Sequence, residues 1–105
     1  MIIPETAERV ALEARWLELT RQDLPAAATN DWPIRLDHCF QRVLLDVACE
    51  GVWYDRITGR PAYRHAPDDV LRKAVILGED VLMGRADLRT LNQRSLVWRG
   101  KVPRP

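Results

Sequence analysis

The stretch DWPIRLDHCFQRVLLDVACEG, residues 31–51, decides the fold. Within it Leu36, Phe40, Val43, Leu44, Val47 and Ala48 recur at spacings of one, three and four, the period of one helix face. Ile34, Leu45 and Cys49 add a second stripe. A helix apolar on more than one side has neighbours packed around it, so this segment is the expected central and most buried element. Asn30 or Asp31 stands where a cap belongs. Pro33 falls in the first turn, where a missing N–H does no harm. Gly51 marks the end, giving a predicted helix over 33–50.

Three more helices are predicted on either side of it. Upstream, residues 5–24 carry two apolar groups at helical spacing: Val10, Ala14, Leu17 and Leu24, and separately Leu12, Trp16 and Leu19. One group faces the core, and the other covers a loop or a partner chain. The helix is expected to end before Pro25, which opens a short Ala-rich connector. Downstream, Ala66-Pro67-Asp68-Asp69 opens a helix over 67–83, with proline in the first turn and acids where the helix dipole favours them. Val70, Leu71, Ala74, Val75, Leu77, Gly78, Val81 and Leu82 form its core stripe. Gly78 costs about 1 kcal/mol against alanine in mid-helix, which points to a close helix–helix contact there. Gly84 stops this helix. The last helix, 87–99, turns Leu88, Leu91, Ser95 and Trp98 inward and is followed by Gly100 as its C′ residue. Between the second and third helices, the loop 51–66 has no strong period. It fits either a hairpin turning at Thr58-Gly59 or a short helical turn over residues 53–57. The expected architecture is an all-α, single-domain bundle of about four helices with one long aromatic-rich loop.

Composition bounds the class of protein. At 105 residues the chain is long enough for one hydrophobic core and too short for two. With 47% apolar and 30% charged residues it has the balance of a globular protein rather than a disordered one. No apolar run approaches the roughly 20 residues that span a bilayer. The first residues lack a basic segment followed by an apolar one, so a secretory signal is not expected and a cytoplasmic location is. Cys39 and Cys49 share one predicted helix, about 15 Å apart at 1.5 Å per residue, beyond the ~7 Å that a disulfide tolerates between Cα atoms. Reduced thiols follow. Residues 1–84 hold ten Arg/Lys against fourteen Asp/Glu, whereas residues 85–105 hold six basic residues and one acid. Arg85, Arg89, Arg94, Arg99, Lys101 and Arg104 therefore form a basic end suited to phosphate, with a solvated helix as the plainer account.

Unusual side chains cluster in two places. Trp32, Asp37, His38 and Arg42 surround the start of the second helix; Trp53, Tyr54, Arg60 and Tyr63 lie in the long loop. Aromatics and arginines stack on flat ligands and clamp anions. His38 and Arg42 are one turn apart on a shared face. If the loop folds back over this helix, the eight residues line one pocket; otherwise the aromatics seal the core and the arginines stay solvated. A metal site is not expected. His38 and Cys49 lie about 16 Å apart along the helix, and no paired Cys/His spacing occurs. Cys39 with His65, oriented by Asp37 or Asp55, is the nearest approach to a nucleophilic site, but a cysteine in a buried helix is more often inert. No Gly-x-Gly phosphate loop is present and no cofactor is implied.

Three stretches carry a resemblance: Trp32-Pro33-x-x-x-Asp37-His38-Cys39-Phe40-x-Arg42, Arg60-Pro61-Ala62, and Leu91-Asn92-x-x-Ser95-Leu96-x-Trp98-Arg99-Gly100-Lys101. Over residues 30–101 the chain resembles a family of small bacterial proteins that sometimes carry the label GCN5-related N-acetyltransferase. The resemblance implies that label without a mechanism, because the Arg/Gln-x-x-Gly-x-Gly/Ala loop of such enzymes is missing here. The leading functional expectation is a binding or accessory protein acting through a protein partner or small ligand at the aromatic/Arg pocket. A nucleic-acid-binding protein using the basic end is second, and an enzyme third. Leu12, Trp16, Leu19, Ile76, Met83 and Val97 remain after the core is filled, and as a patch they would make a homodimer or partner interface.

Overall fold

The computed structural model describes residues 6–101. Glu5, the expected first residue of the first helix, and Arg104 of the basic end lie outside the described residues. The fold is all-α, with no strand among the described residues. Helix α3 (Asp37–Cys49) is at its centre, packing on α5 (Asp68–Leu82) and α6 (Leu88–Trp98). Every residue from Val43 to Cys49 is buried, Asp46 included. The helix ends on Glu50, whose φ of 54° is left-handed, and the Gly51 N–H closes back onto the Asp46 carbonyl at 3.1 Å. That closure satisfies a carbonyl the helix end would otherwise leave bare.

Upstream, α1 (Ala7–Glu18) does not stop before Pro25. It continues through a π turn, Leu19–Asp23, into the short α2 (Leu24–Ala27). In a regular α-helix the Pro25 ring would collide with the carbonyl four residues back. The wider turn, closed by the Leu24 N–H on the Leu19 carbonyl, absorbs the misfit. It also brings Leu24 into the core with Leu19, both fully buried. This corrects the expected face: Trp16 and Leu19 are core residues at 1% and 0% exposure, with Leu12 packed against them, while Val10 and Ala14 face outward.

Residues 31–36 are irregular chain with a turn and bends, not the first turns of a helix. Trp32 precedes proline and so disfavours helical backbone. Trp32 then sets its ring edge-on to Phe40, 5.9 Å between centroids, and Ile34 is buried two residues on. Non-helical backbone lets both reach inward. It leaves Leu36, expected on the core face, as an exposed N-cap.

Helix α5 meets the expected stripe closely. Val70, Leu71, Ala74, Val75, Gly78 and Val81 are buried. A Cβ on Gly78 would sit 2.5 Å from Leu19 Cδ2 and 3.0 Å from Leu44 Cδ1, so three elements converge there and a methyl enters only if the leucine ends shift. Ile76 and Met83 stay outside the core, 50% and 66% exposed. The 51–66 segment forms no hairpin. It holds a 3-10 turn over Trp53–Asp55 and a short helix α4 (Ala62–His65), tethered by buried Ile57. No helix among the described residues is long and apolar enough to cross a membrane.

Candidate functional site

The polar centre of the molecule is Asp46, fully buried on α3. A lone carboxylate there would be prohibitively desolvated, so four donors surround it. Its Oδ2 accepts from Ser95 Oγ–H and Arg99 Nε, each at 2.7 Å. Its Oδ1 accepts from Arg99 Nη2 at 3.1 Å and from the Trp53 backbone N–H at 3.0 Å. The Arg99 contact is a bidentate fork, and hydrogen bonding to Asp46 holds the guanidinium above its ordinary pKa. Tyr54 covers that guanidinium, 5.5 Å from ring centroid to carbon. One carboxylate thus ties α3, α6 and the start of the long loop together.

The network continues outward. Ser95 Oγ accepts from Arg42 Nη1 at 2.9 Å, and Asn92 Oδ1 accepts from Arg42 Nη2 at 2.8 Å. Both partners are neutral. Arg99, not Arg42, neutralises Asp46, and among the described residues Arg42 has no ion pair.

Half-buried Arg42 lines an open groove of about 560 Å³ between α3 and the long loop. His38, Gln41 and Leu45 line the same side, from α3. Trp53, Arg60, Pro61 and Ala62 form the facing wall. Arg60 lies over the Trp53 ring at 5.2 Å, a cation–π contact that restrains the guanidinium without neutralising it. Trp53 is itself fixed by its N–H on Asp46 and by Tyr54 edge-on at 5.5 Å. The loop takes this course because Gly59, at φ 109°, lets the His65 ring close against its backbone. Arg56 Nη1 donates to the Cys49 carbonyl, and Arg9 Nη2 to that of Tyr63.

Of the eight residues expected to share a pocket, the structure brings His38, Arg42, Trp53 and Arg60 to one groove. Tyr54 adjoins it behind Trp53. Asp37 starts α3, accepting from the His38 N–H at 2.7 Å, with its carboxylate 3.4 Å from His38 Nδ1. Trp32 and Tyr63 go elsewhere: Trp32 packs on Phe40 and lines a second depression beside α6, and Tyr63 packs against the core. The chain matches no family model, no curated protein and no solved structure.

The side chains of the basic end meet different partners. Arg99 turns inward to Asp46, Arg85 pairs with Asp80 at 3.1 Å, and Arg89 donates to the Asp31 carbonyl. Arg94 lies over the Trp98 ring at 5.2 Å and Lys101 is exposed. The cysteines are free: Cys39 is half-buried, and burial raises the pKa of the Cys49 thiol. No three His, Cys, Asp or Glu side chains among the described residues are grouped to hold a metal.

Three residues of the network, Asp46, Asn92 and Ser95, escaped the expected site, though Ser95 was expected to point inward. A signal for them existed. Asp46 interrupts an otherwise apolar run, and Asn92, Ser95 and Arg99 recur at three and four residues, on one face of α6.

Proposed function

We propose that this chain is a binding or accessory protein that holds an anionic group of its ligand in the groove between α3 and residues 53–62. The observation that carries the reading is the state of Arg42. Its guanidinium is half-buried and fixed, yet both of its hydrogen-bond partners are neutral and it opens onto a groove. A protein with no use for that charge would gain by pairing it with a carboxylate or by replacing it with an apolar side chain. Arg60, restrained on Trp53 from the facing wall, adds a second guanidinium with no ion pair among the described residues. Fixed donors bind anions better than mobile ones because less side-chain freedom is lost on binding. Trp53, Pro61 and Ala62 supply apolar contact for whatever carries the charge.

The test is a thermal-shift titration with sodium phosphate, benzoate and phenyl phosphate, each compared with sodium chloride at matched ionic strength. A ligand at about 100 times its Kd stabilises the folded state by about 2.7 kcal/mol, a clear rise in melting temperature. Arg60→Gln, at an exposed position, should remove most of the shift while costing the unliganded protein only the exposed cation–π contact with Trp53, about 0.5–1 kcal/mol. No shift with any of the three anions, or a shift unaltered in Arg60→Gln, overturns the proposal.

A further inference from the structure

We infer that the anion this groove takes is a dianionic phosphoryl group, the head of a small phosphate monoester, rather than a carboxylate. This deepens the anion-binding reading and rests on it. The first ground is charge. Arg42, from α3, and Arg60, from the loop, both line the groove, and no carboxylate is among its lining residues. Asp37, the acid next to His38, is engaged with the His38 backbone and ring. A carboxylate ligand would carry one negative charge between two cations, whereas a phosphate monoester carries about −1.5 to −2 at neutral pH.

The second ground is donor number. Arg42 spends one N–H of Nη1 on Ser95 and one of Nη2 on Asn92, which leaves three of a guanidinium's five. Arg60 is held by stacking, so its five N–H groups stay available to a ligand. Gln41 gives its amide to Thr20 Oγ1 at 3.0 Å, and that amide has a second N–H. A carboxylate presents two acceptor oxygens and a phosphate monoester three terminal ones, each accepting more than one bond. Two arginine forks, one from α3 and one from the loop, match the larger set.

The third ground is the shape of the site. The groove is an open depression rather than an enclosed cavity, so a substituent on the phosphoryl group has room to extend past Trp53, Pro61 and Ala62 toward solvent. A phosphate buried whole, as in a site for the free ion, would need a closed cage.

Isothermal titration of the intact protein with phenyl phosphate, inorganic phosphate, benzoate and a phosphoserine peptide separates the possibilities. Phenyl phosphate should bind at least tenfold more tightly than benzoate and more tightly than inorganic phosphate. Arg60→Gln should weaken phenyl phosphate about tenfold or more, and benzoate by less, because only the dianion needs both cations. Arg42→Gln should do the same, and Arg60→Gln keeps the test decisive if that variant folds poorly. Benzoate binding as tightly as phenyl phosphate overturns the phosphoryl assignment and leaves the anion groove standing. Inorganic phosphate binding as tightly as the ester overturns the monoester. Tighter binding of the peptide than of phenyl phosphate overturns the small-molecule ligand in favour of a phosphorylated chain. No binding of any probe removes both readings.

Discussion

Replacing Asp46 by asparagine keeps the shape of the side chain and removes its charge, which makes it the sharpest probe of the buried network. All four groups around the carboxylate are donors: Ser95 Oγ–H, two N–H groups of Arg99, and the Trp53 backbone N–H. An asparagine has one acceptor oxygen, and its NH2 must point at one oxygen position or the other. At the Oδ1 position it meets Arg99 Nη2 and the Trp53 N–H, neither of which can become an acceptor. At the Oδ2 position Ser95 can turn and accept, but Arg99 Nε still opposes it. Either way the Arg99 guanidinium loses its counter-charge. Breaking one side of a buried pair costs about 3–5 kcal/mol. The Arg99 side chain is 19% exposed, so water recovers part of the loss and the lower end, about 3 kcal/mol, is expected. At roughly 4–8 °C per kcal/mol for a domain near this size, the melting temperature should fall by roughly 12–24 °C. Urea unfolding followed by far-ultraviolet circular dichroism should show the midpoint falling with an unchanged slope. A loss below about 1 kcal/mol would refute the network as described, since a carboxylate so easily neutralised is not what holds α6 and the loop to α3.

Two further perturbations test the packing and the caps. Gly78→Ala should destabilise by about 1–3 kcal/mol, the usual range for overpacking, although alanine is the better helix former by about 1 kcal/mol; a stabilised variant in urea titration would show that Leu19 and Leu44 yield freely. At the start of α6, Asp87 accepts from Thr90 Oγ1 at 2.7 Å and from the Arg89 N–H at 3.2 Å, which lowers its pKa below the ordinary 3.8. A depressed folded-state pKa adds stability that is present above the unfolded value and fades as pH falls through the folded one. The advantage of the wild type over Asp87→Asn should thus be constant near neutrality and shrink below about pH 4, and an advantage that survives unchanged at pH 2 would contradict the cap charge.

Much of the helical plan was legible because its signals are local. Pro67 with Asp68 and Asp69, and Gly84 and Gly100 at positive φ, each act within one turn of chain. The Gly78 contact was legible for another reason: a costly residue in a clean apolar stripe has to be repaid by proximity. The errors share a cause as well. Pro25 reads as a stop unless the chain before it widens, and nothing local in Leu19–Asp23 announces a π turn. That turn also decides which stripe of α1 faces inward, so missing it assigned Trp16 and Leu19 to a spare face. Trp32 and Ile34 fit a helical period as well as an extended one, and tertiary contacts with Phe40 chose between them.

The site divides along the same line. His38 and Arg42 could be paired from spacing alone, because one helix places them. Bringing Trp53 and Arg60 to them required the loop to fold back, and the group that enforces this is the Asp46 carboxylate through the Trp53 N–H. Asp46 is therefore a positioning residue for both walls. It holds Trp53, on which Arg60 stacks, and it orients Ser95, on which Arg42 rests. The charge balance follows from this arrangement. With Arg99 committed to Asp46, the neutral Ser95 hydroxyl is what reaches Arg42, so the charge of Arg42 remains for the groove. Moving the acid one step outward, to position 95, would neutralise Arg42, and on the proposed reading would close the groove to anions. On the proposed reading, the distribution of one carboxylate and two guanidiniums across α3 and α6 is what separates a fold that is merely stable from one that also binds an anion.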